Sequence, residues 1–419
     1  MAGEWRNGAY GLFWLIVVIA YSGSAYGDSA EVLPKGVFRA GAQYNGYLPI
    51  DTRFDPDGKK ESVSHDFNAD LNSNVFSPLA LVEAGFGMPA GSASIGRSVV
   101  DFQYEFTDLI LSLQYGLTEK LTVGVKAPYY WSTTRVLEAR LDTTNATVGK
   151  DPSLSLGSPL IPISLGGTPL TTNDVQNLLG RGLDVNGDGV IDIPGFGYKP
   201  IETWSGNGFS DIEVGGRYQY YKSDNWRLAF TGGVRLPTGK VDDPDNLIDV
   251  GFGTGAYALL FHMNNDYTGI KDLILNASLK YDLTLPDSQE KRVPDSANSP
   301  ITANKEKVSR NLGDTMTLDL SGTFEFYPGW RFALGYMYSS KSKDKVSGDM
   351  GFNYQSLEDE TDVKSHLASA EISYSTIELF TKKKFPVPMD ASLGYEYMFA
   401  GRNNSLEQKY LTLKLAVYF

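Results

Sequence analysis

Tyr410–Phe419, the last ten residues, reads YLTLKLAVYF and decides the fold. Leucine, valine and the final phenylalanine occupy every second position from Leu411 onward, and the positions between them are mixed. Because successive side chains of a β-strand point to opposite faces, this segment is predicted to be a strand with one wholly apolar face. That face could be the core of a soluble sandwich or the lipid-facing side of a membrane barrel.

The terminal Phe419 favours the barrel. A chain that ends on such a strand resembles the C-terminal targeting signal of bacterial outer-membrane barrels. The sequence therefore predicts that the protein lies in the cell outer membrane, in contact with its lipid bilayer. It also predicts that the barrel assembly machinery recognises the Phe419 strand.

The same alternation recurs along the chain in segments long enough to cross a bilayer at a tilt. We predict an all-β fold, a transmembrane antiparallel up-and-down β-barrel of about 12 strands. The predicted strands are 36–48, 101–117, 120–136, 209–221, 226–237, 249–263, 272–285, 313–327, 330–341, 366–380, 389–400 and 408–419. In 101–117 the apolar residues change from even to odd positions between Tyr104 and Leu109, so we expect a bulge there.

Short and long connections alternate between these strands. Links at 264–271 and 381–388 are moderately short, and those at 238–248 and 401–407 are modest members of the long set. The longest are polar and are predicted to be extracellular, near 49–100, 138–208, 286–312 and 342–365. An even strand number places both termini on the periplasmic side.

The first long loop contains an apolar, Gly- and Pro-rich part, Val75–Ala93. It either folds inward as a constriction, packs over the mouth of the barrel, or extends the wall above the membrane. A twelve-strand barrel leaves a lumen roughly 10 Å wide. Residues 28–35 are predicted to be too few to plug it.

Residues 1–27 have the pattern of a signal peptide. Ala9–Tyr21 is an apolar run shorter than the about 20 residues that span a bilayer. Ala25-Tyr26-Gly27 then supplies small residues at the −3 and −1 positions of a cleavage site. The alternative is an uncleaved anchor. The predicted domains are a signal peptide over 1–27 and an outer-membrane β-barrel over 28–419.

Composition supports export and excludes some functions. The chain has 25 Tyr and 44 Gly but no Cys, so no disulfide framework holds it together. Its net charge of −13 does not suit a nucleic-acid binder, which would be basic. The charge fits acidic loops in contact with cations outside the cell.

Ionisable residues of both signs share the inward parity. A basic residue on the lipid face at mid-membrane would destabilise the barrel by about 2–4 kcal/mol. The inward placement of these residues therefore predicts a wet or ion-paired interior. It is either a polar channel or a closed lattice of salt bridges. The candidate channel-lining residues are Arg39, Lys126, Asp211, Glu213, Arg217, Arg227, Arg235, Lys280, Asp282, Asp319, Glu325, Arg331, Glu371, Glu396 and Lys414.

The second long loop contains DVNGDGVID, residues 184–192. This spacing offers calcium the side-chain oxygens of Asp184, Asn186 and Asp188, the Val190 carbonyl, and Asp192 directly or through water. The pattern resembles the loop of EF-hand and dockerin-type sites, but Gly195 replaces the bidentate Glu at the twelfth position. The alternative is an Asx-rich turn without a metal.

Catalysis has little support. The chain has three histidines, and His262 is predicted on the lipid-facing side without a neighbouring Ser. This does not suit an outer-membrane phospholipase. A twelve-strand autotransporter would carry a large N-terminal passenger, and almost nothing precedes the first predicted strand. We therefore predict no enzyme activity.

Several short motifs carry a family resemblance. They are Tyr115–Leu121 (YGLTEKL), Gly208–Gly215 (GFSDIEVG), Arg235–Gly239 (RLPTG) and Asp249–Gly255 (DVGFGTG). In this order they resemble a family of outer-membrane transporters named for the meta-pathway of phenol degradation. The resemblance implies passive uptake of small molecules, including aromatic or apolar compounds. The alternative is a non-conducting barrel scaffold that anchors or sheathes a partner such as a periplasmic electron carrier.

Overall fold

The computed structural model describes residues 28–154, 156–295 and 300–419. The predicted signal peptide over 1–27 lies outside the described residues. Within the described ranges, none of the helices has the length and apolarity needed to cross a membrane.

Twelve long strands form the barrel. Each pairs antiparallel with its neighbours, and the first strand pairs with both the second and the last, so the sheet closes on itself. The predicted barrel is confirmed. Its strands are β1 Phe38–Tyr47, β2 Ser94–Thr118, β3 Leu121–Asp142, β4 Ile212–Lys222, β5 Trp226–Leu236, β6 Ala258–Ile270, β7 Leu273–Thr284, β8 Thr315–Tyr327, β9 Trp330–Lys341, β10 Lys364–Ser375, β11 Met389–Arg402 and β12 Lys409–Tyr418.

The outer face of the barrel is apolar. Leu411 and Leu413 on β12 are both 52% exposed, as expected for side chains that contact lipid rather than a protein core. Val214, Tyr218 and Phe324 on other strands are similarly exposed. The apolar parity that was predicted to face outward does so on these strands.

Strand β6 corrects one prediction. It begins at Ala258 rather than 249, continues to Ile270, and is followed at once by β7, so residues 264–270 belong to a strand and not to a link. Phe261 and Met263 are exposed on the outer face, whereas His262 between them lies inside the barrel. The predicted lipid-facing position of His262 is therefore wrong.

The structure of strand β2 also differs from its prediction. Its pairing with β3 is continuous between Tyr104 and Leu109, and the register shift lies instead between Asp101 and Phe102. The expected bulge is absent because Phe102, Tyr104 and Phe106 point into the barrel. The parity slipped because aromatic side chains occupy inward positions there.

Strands β2 and β3 are the longest and rise above the others toward the long loops. Residues 94–100 and 138–142, predicted as loop, belong to them. The smaller strands are Thr52–Phe54, Lys60–Ser62, Asp70–Asn72, Val148–Lys150, Leu160–Pro162, Gly182–Leu183, Ile193–Pro194, Trp204–Phe209, Asp287–Arg292, Lys305–Asn311, Lys345–Ser347 and Ser405–Leu406. The helices are α1 Leu79–Phe86, α2 Thr172–Leu179 and α3 Ile377–Thr381. Short 3₁₀ turns lie at His65–Phe67, Ile163–Leu165 and Tyr354–Leu357.

The first two long loops share a hydrophobic core above the barrel. Phe76 and Leu79, at the start of α1, pack in one cluster with Leu178 of α2 and with Leu183 and Ile193. The apolar part 75–93 therefore packs against the second loop rather than entering the barrel. The same core gives the second loop a packed apolar interior.

A different loop enters the barrel. Residues 237–257, between β5 and β6, line the lumen, and Ile248 and Val250 pack against the inward Phe102 and Tyr104. The predicted strand beginning at 249 is wrong because its alternating apolar residues cover these aromatic rings instead of pairing with a strand.

The N-terminal segment also lies inside the barrel. Residues Asp28–Pro34 line the cavity and contact inward side chains of β3, β4, β6 and β7. Residues 28–35, predicted to be too few to plug the lumen, nevertheless lie within it as far as Pro34. The segment runs along one wall, which requires far less chain than filling the cross-section.

Candidate functional site

One cavity of about 1830 Å³ occupies the barrel interior. At its periplasmic end it is lined by Phe380 and Arg331, and at its extracellular end by Phe67, Arg292 and Leu357. Its lining therefore extends from the short turns to the long loops.

Most of the inward ionisable residues predicted from the sequence line this cavity. They are Arg39, Lys126, Asp211, Glu213, Arg217, Arg235, Lys280, Asp282, Glu325, Arg331 and Lys414. The others, Arg227, Asp319, Glu371 and Glu396, face inward but lie beneath a neighbouring side chain or segment.

A chain of ion pairs crosses β4, β5, β6 and β7. An Nη2 atom of Arg235 lies 2.8 Å from a carboxylate oxygen of Glu213 and 2.8 Å from one of Asp282. His262 Nε2 lies 3.5 Å from the other Asp282 oxygen. One arginine thus bridges two acids at the cavity surface.

Further charged pairs join β10 to β12 on the facing wall and β7 to β8 beside Asp282. Lys414 Nζ donates to Glu371 Oε2 at 2.7 Å, and Lys280 Nζ lies 3.5 Å from Asp319 Oδ2. Both channel and lattice interpretations therefore have support, because the interior holds a salt-bridge network and a large cavity at once.

Glu396 is bound by hydroxyl groups. Tyr410 donates to its Oε2 at 2.7 Å and Thr412 to its Oε1 at 3.3 Å. It is buried within the wall, between inward residues of β11 and β12. It stiffens the wall rather than facing the cavity.

Asp211 anchors the inward loop. It is 1% exposed, and its carboxylate accepts hydrogen bonds from the backbone N–H groups of Gly239 at 3.0 Å and Thr254 at 2.9 Å. A Cβ on Gly239 would lie 2.6 Å from the Cα of Gly253, so the two strands of the loop touch there. The motifs GFSDIEVG, RLPTG and DVGFGTG therefore meet in space at one buried carboxylate.

Asp249 belongs to this loop and lines the cavity. Burial, together with the nearby Asp242 and Asp243, raises the pKa of its carboxyl to about 6, while the hydrogen bond that the Asp243 N–H donates to it at 2.9 Å acts in the opposite direction. Sequence reasoning missed Asp249 because it was placed on a strand. The clustering of Asp and Gly between two strands was the available signal.

The extracellular half of the interior is aromatic. Phe102 contacts Phe67 edge to face with ring centroids 5.2 Å apart, and Tyr104 stacks with Phe106 at 5.7 Å. Tyr104 and Phe67 also line the cavity. Apolar rings thus border the upper part of a cavity whose middle is charged.

The loop 184–192 folds through its own hydrogen bonds. Asp184 accepts from the N–H groups of Gly187 at 2.7 Å and Gly189 at 2.8 Å, and Asp192 accepts from Val185 at 2.7 Å. In the described part of the chain, no three His, Cys, Asp or Glu side chains are grouped as metal ligands. Calcium binding by this loop stays a prediction.

The closed barrel with an apolar outer face and a charged interior defines an outer-membrane β-barrel protein. Residues 163–376 match the model of the family described as the MetA-pathway of phenol degradation, and the chain belongs to this family. This confirms the resemblance inferred from the motifs.

Solved structures with a similar fold include an outer membrane channel from Pseudomonas putida F1. It is 12% identical, covers 94% of this chain and 98% of its own, and has a TM-score of 0.52. The translocator domain of the autotransporter NalP from Neisseria meningitidis is 10% identical, with coverage of 93% and 90% and a TM-score of 0.37. The Ralstonia pickettii toluene transporter TbuX is 12% identical, with coverage of 92% and 90% and a TM-score of 0.35. No curated protein matches the chain in sequence.

Proposed function

We propose that this protein is an outer-membrane channel for the passive uptake of small molecules. The observation that carries the proposal is the cavity of about 1830 Å³, whose lining extends from the periplasmic turns to the extracellular loops. Passive movement along such a cavity needs no energy coupling within the chain.

The proposed substrates are small aromatic compounds that carry a polar group. Tyr104 and Phe67 offer ring faces near the extracellular end of the cavity, and Arg235 and Lys414 offer hydrogen-bond donors farther down. Rings interact favourably with other rings and with cations, at about 0.5–1.5 kcal/mol for each ring contact. The family's description, which concerns phenol degradation, supports this substrate class.

Planar-bilayer recording of the purified protein tests the channel. We expect reproducible unitary current steps, and addition of phenol should reduce the current in a concentration-dependent way, whereas a sugar of similar size should not. A silent barrel that co-purifies with a periplasmic protein would instead support the scaffold function.

We further propose that residues 1–27 are removed on export and that the Phe419 strand is read by the barrel assembly machinery. Asp28 lies in a polar part of the lumen, where Arg217 and Asn264 contact it, which favours its separation from an apolar leader. The intact mass of the purified protein should correspond to a chain that begins at Asp28. A mass that includes residues 1–27 would show an uncleaved anchor.

A further inference from the structure

The N-terminal segment Asp28–Pro34 is held inside the lumen by specific contacts to its backbone. Asn264 Nδ2 and Ser278 Oγ donate to the Asp28 carbonyl at 2.7 and 2.9 Å. Gln219 Nε2 donates to the Ala30 carbonyl at 2.9 Å. Backbone groups that bond in this way hold the segment in one register along the wall.

Charged groups fix its end. Asp28 forms an ion pair with Arg217 and lies 3.3 Å from His262 Nδ1. Glu31 pairs with Arg227 at 3.2 Å. These cations come from three different strands of the wall, so the segment lies across the wall rather than beside a single strand.

The wall provides a matching cleft. Asp266 is fully buried, and its carboxylate accepts from Ser29 Oγ at 2.8 Å and from the Ala30 N–H at 3.1 Å. Nearer the periplasmic rim, Thr122 accepts from the Leu33 N–H at 2.8 Å. A Cβ on Gly116 would lie 2.0 Å from the Pro34 carbonyl, so this glycine allows the chain to enter the lumen.

From these contacts we propose that Asp28–Pro34 is a plug that occupies a preformed cleft of the lumen wall and restricts the conduction path. This inference rests on the proposed channel function. An extended chain takes up a width close to the 4.8 Å spacing of strands, which is a large part of the lumen. The plug therefore narrows the conduction path below the width that the barrel alone would give.

Deletion of Ser29–Leu33 tests the restriction. A chain about 4.8 Å wide takes up roughly a quarter of the cross-section of a lumen about 10 Å across, so its removal should raise the unitary conductance by about a third or more. Asp266→Asn replaces one of the two acceptor oxygens for Ser29 and Ala30 with an amide donor and removes the charge at nearly unchanged side-chain size, so it should raise the conductance in the same direction. Asp108→Asn is the matched control, because it makes the same substitution at another buried carboxylate, whose partners are Asn45 and Tyr47 rather than the segment.

Cysteine labelling tests the position of the plug without any current measurement. The chain has no Cys, so a thiol reagent labels only the one cysteine that is introduced. Ala30→Cys, at a fully buried position, should react with a charged thiol reagent much more slowly than Lys35→Cys, at an exposed one. Adding Asp266→Asn should speed the reaction at position 30, and adding Asp108→Asn should not.

The outcomes separate this inference from the channel function. Unchanged conductance in the deletion variant, with a conducting wild type, would overturn the plug and leave the channel intact. Protected cysteine at position 30 in a barrel that never conducts would overturn the channel but retain the docked segment. Equal reactivity at positions 30 and 35 would show that the segment does not lie in the lumen.

Discussion

Arg235 carries the clearest electrostatic consequence at the scale of the residue. It bridges Glu213 and Asp282 at the cavity surface, whereas Arg217 and Arg227 are engaged with the N-terminal segment. Of these three arginines of β4 and β5, Arg235 is therefore the one whose charge is not paired with that segment.

Arg235→Gln should shift the selectivity of the channel toward cations. The substitution leaves two carboxylates at the cavity surface with one positive charge fewer, and unscreened charge in a narrow low-dielectric space attracts counter-ions. Reversal potentials in a salt gradient measure the shift. Arg140→Gln, at an exposed pair with Glu138 above the membrane, should leave the reversal potential unchanged. Equal effects of both variants would contradict the assignment.

Asp249 should make the selectivity depend on pH. Its pKa of about 6, raised by burial, means that the carboxyl takes up a proton as the pH falls through 6. The folded loop is stabilised by that protonation, since a raised acid pKa favours the neutral form. Cation preference should therefore decrease between about pH 7.5 and about pH 5. Asp249→Asn should remove part of this change, and an undiminished pH response would refute the role of Asp249.

At the scale of the element, the loops divide into two groups. The loops at 48–93 and 143–203 pack against each other over the barrel through Leu79 and Leu178. The loop at 237–257 instead folds inward and is fastened at Asp211. Loop length does not predict which of them enters the lumen, because the longer loops bury their apolar residues in one another.

Calcium should stabilise the loop 184–192 but should not be needed to fold its surroundings. The side-chain oxygens of Asp184, Asn186 and Asp188 at alternate positions suit this ion, while the core around Leu183 and Ile193 is held by apolar contacts. Proteolysis of the loop should be slower with calcium than with chelator. Asp188→Ala should abolish that difference, and Asp224→Ala in a periplasmic turn should keep it. Identical cleavage rates with and without calcium in the wild type would leave a plain Asx turn.

At the scale of the whole molecule, closure of the barrel joins its first strand to its last. The Phe38 N–H donates to the Phe419 carbonyl at 2.8 Å, and the two rings stack with centroids 5.5 Å apart. The last strand therefore completes the barrel and, at the same time, carries the proposed assembly signal.

Deletion of Phe419 should lower the amount of folded barrel in the outer membrane severalfold. It removes the terminal pairing of β1 with β12 and the aromatic residue that the assembly machinery is proposed to read. Heat-dependent gel mobility of membrane fractions measures the folded barrel. Phe332→Ala, which removes another lipid-facing ring, should assemble normally. Comparable yields from both variants would mean that Phe419 carries no assembly information.

The sequence by itself determined the barrel, the number of its strands and most of the inward charges. Period-two alternation is a local property, and a lipid face enforces it strictly, as at Leu411, Leu413 and Leu415. The alternation pattern did not predict the inward face correctly where the interior of the barrel is apolar. Phe102 and Tyr104 face inward, so their pattern was taken as a bulge.

The tertiary structure alone decided what occupies the lumen. The positions of the 237–257 loop and of Asp28–Pro34 depend on contacts between residues that are far apart in the chain, such as Asp211 with Thr254 and Asp28 with Asn264. No spacing along the sequence records such pairs. These segments can enter the barrel because closure first creates a polar wall, with cations and amide groups already placed to bind their backbone.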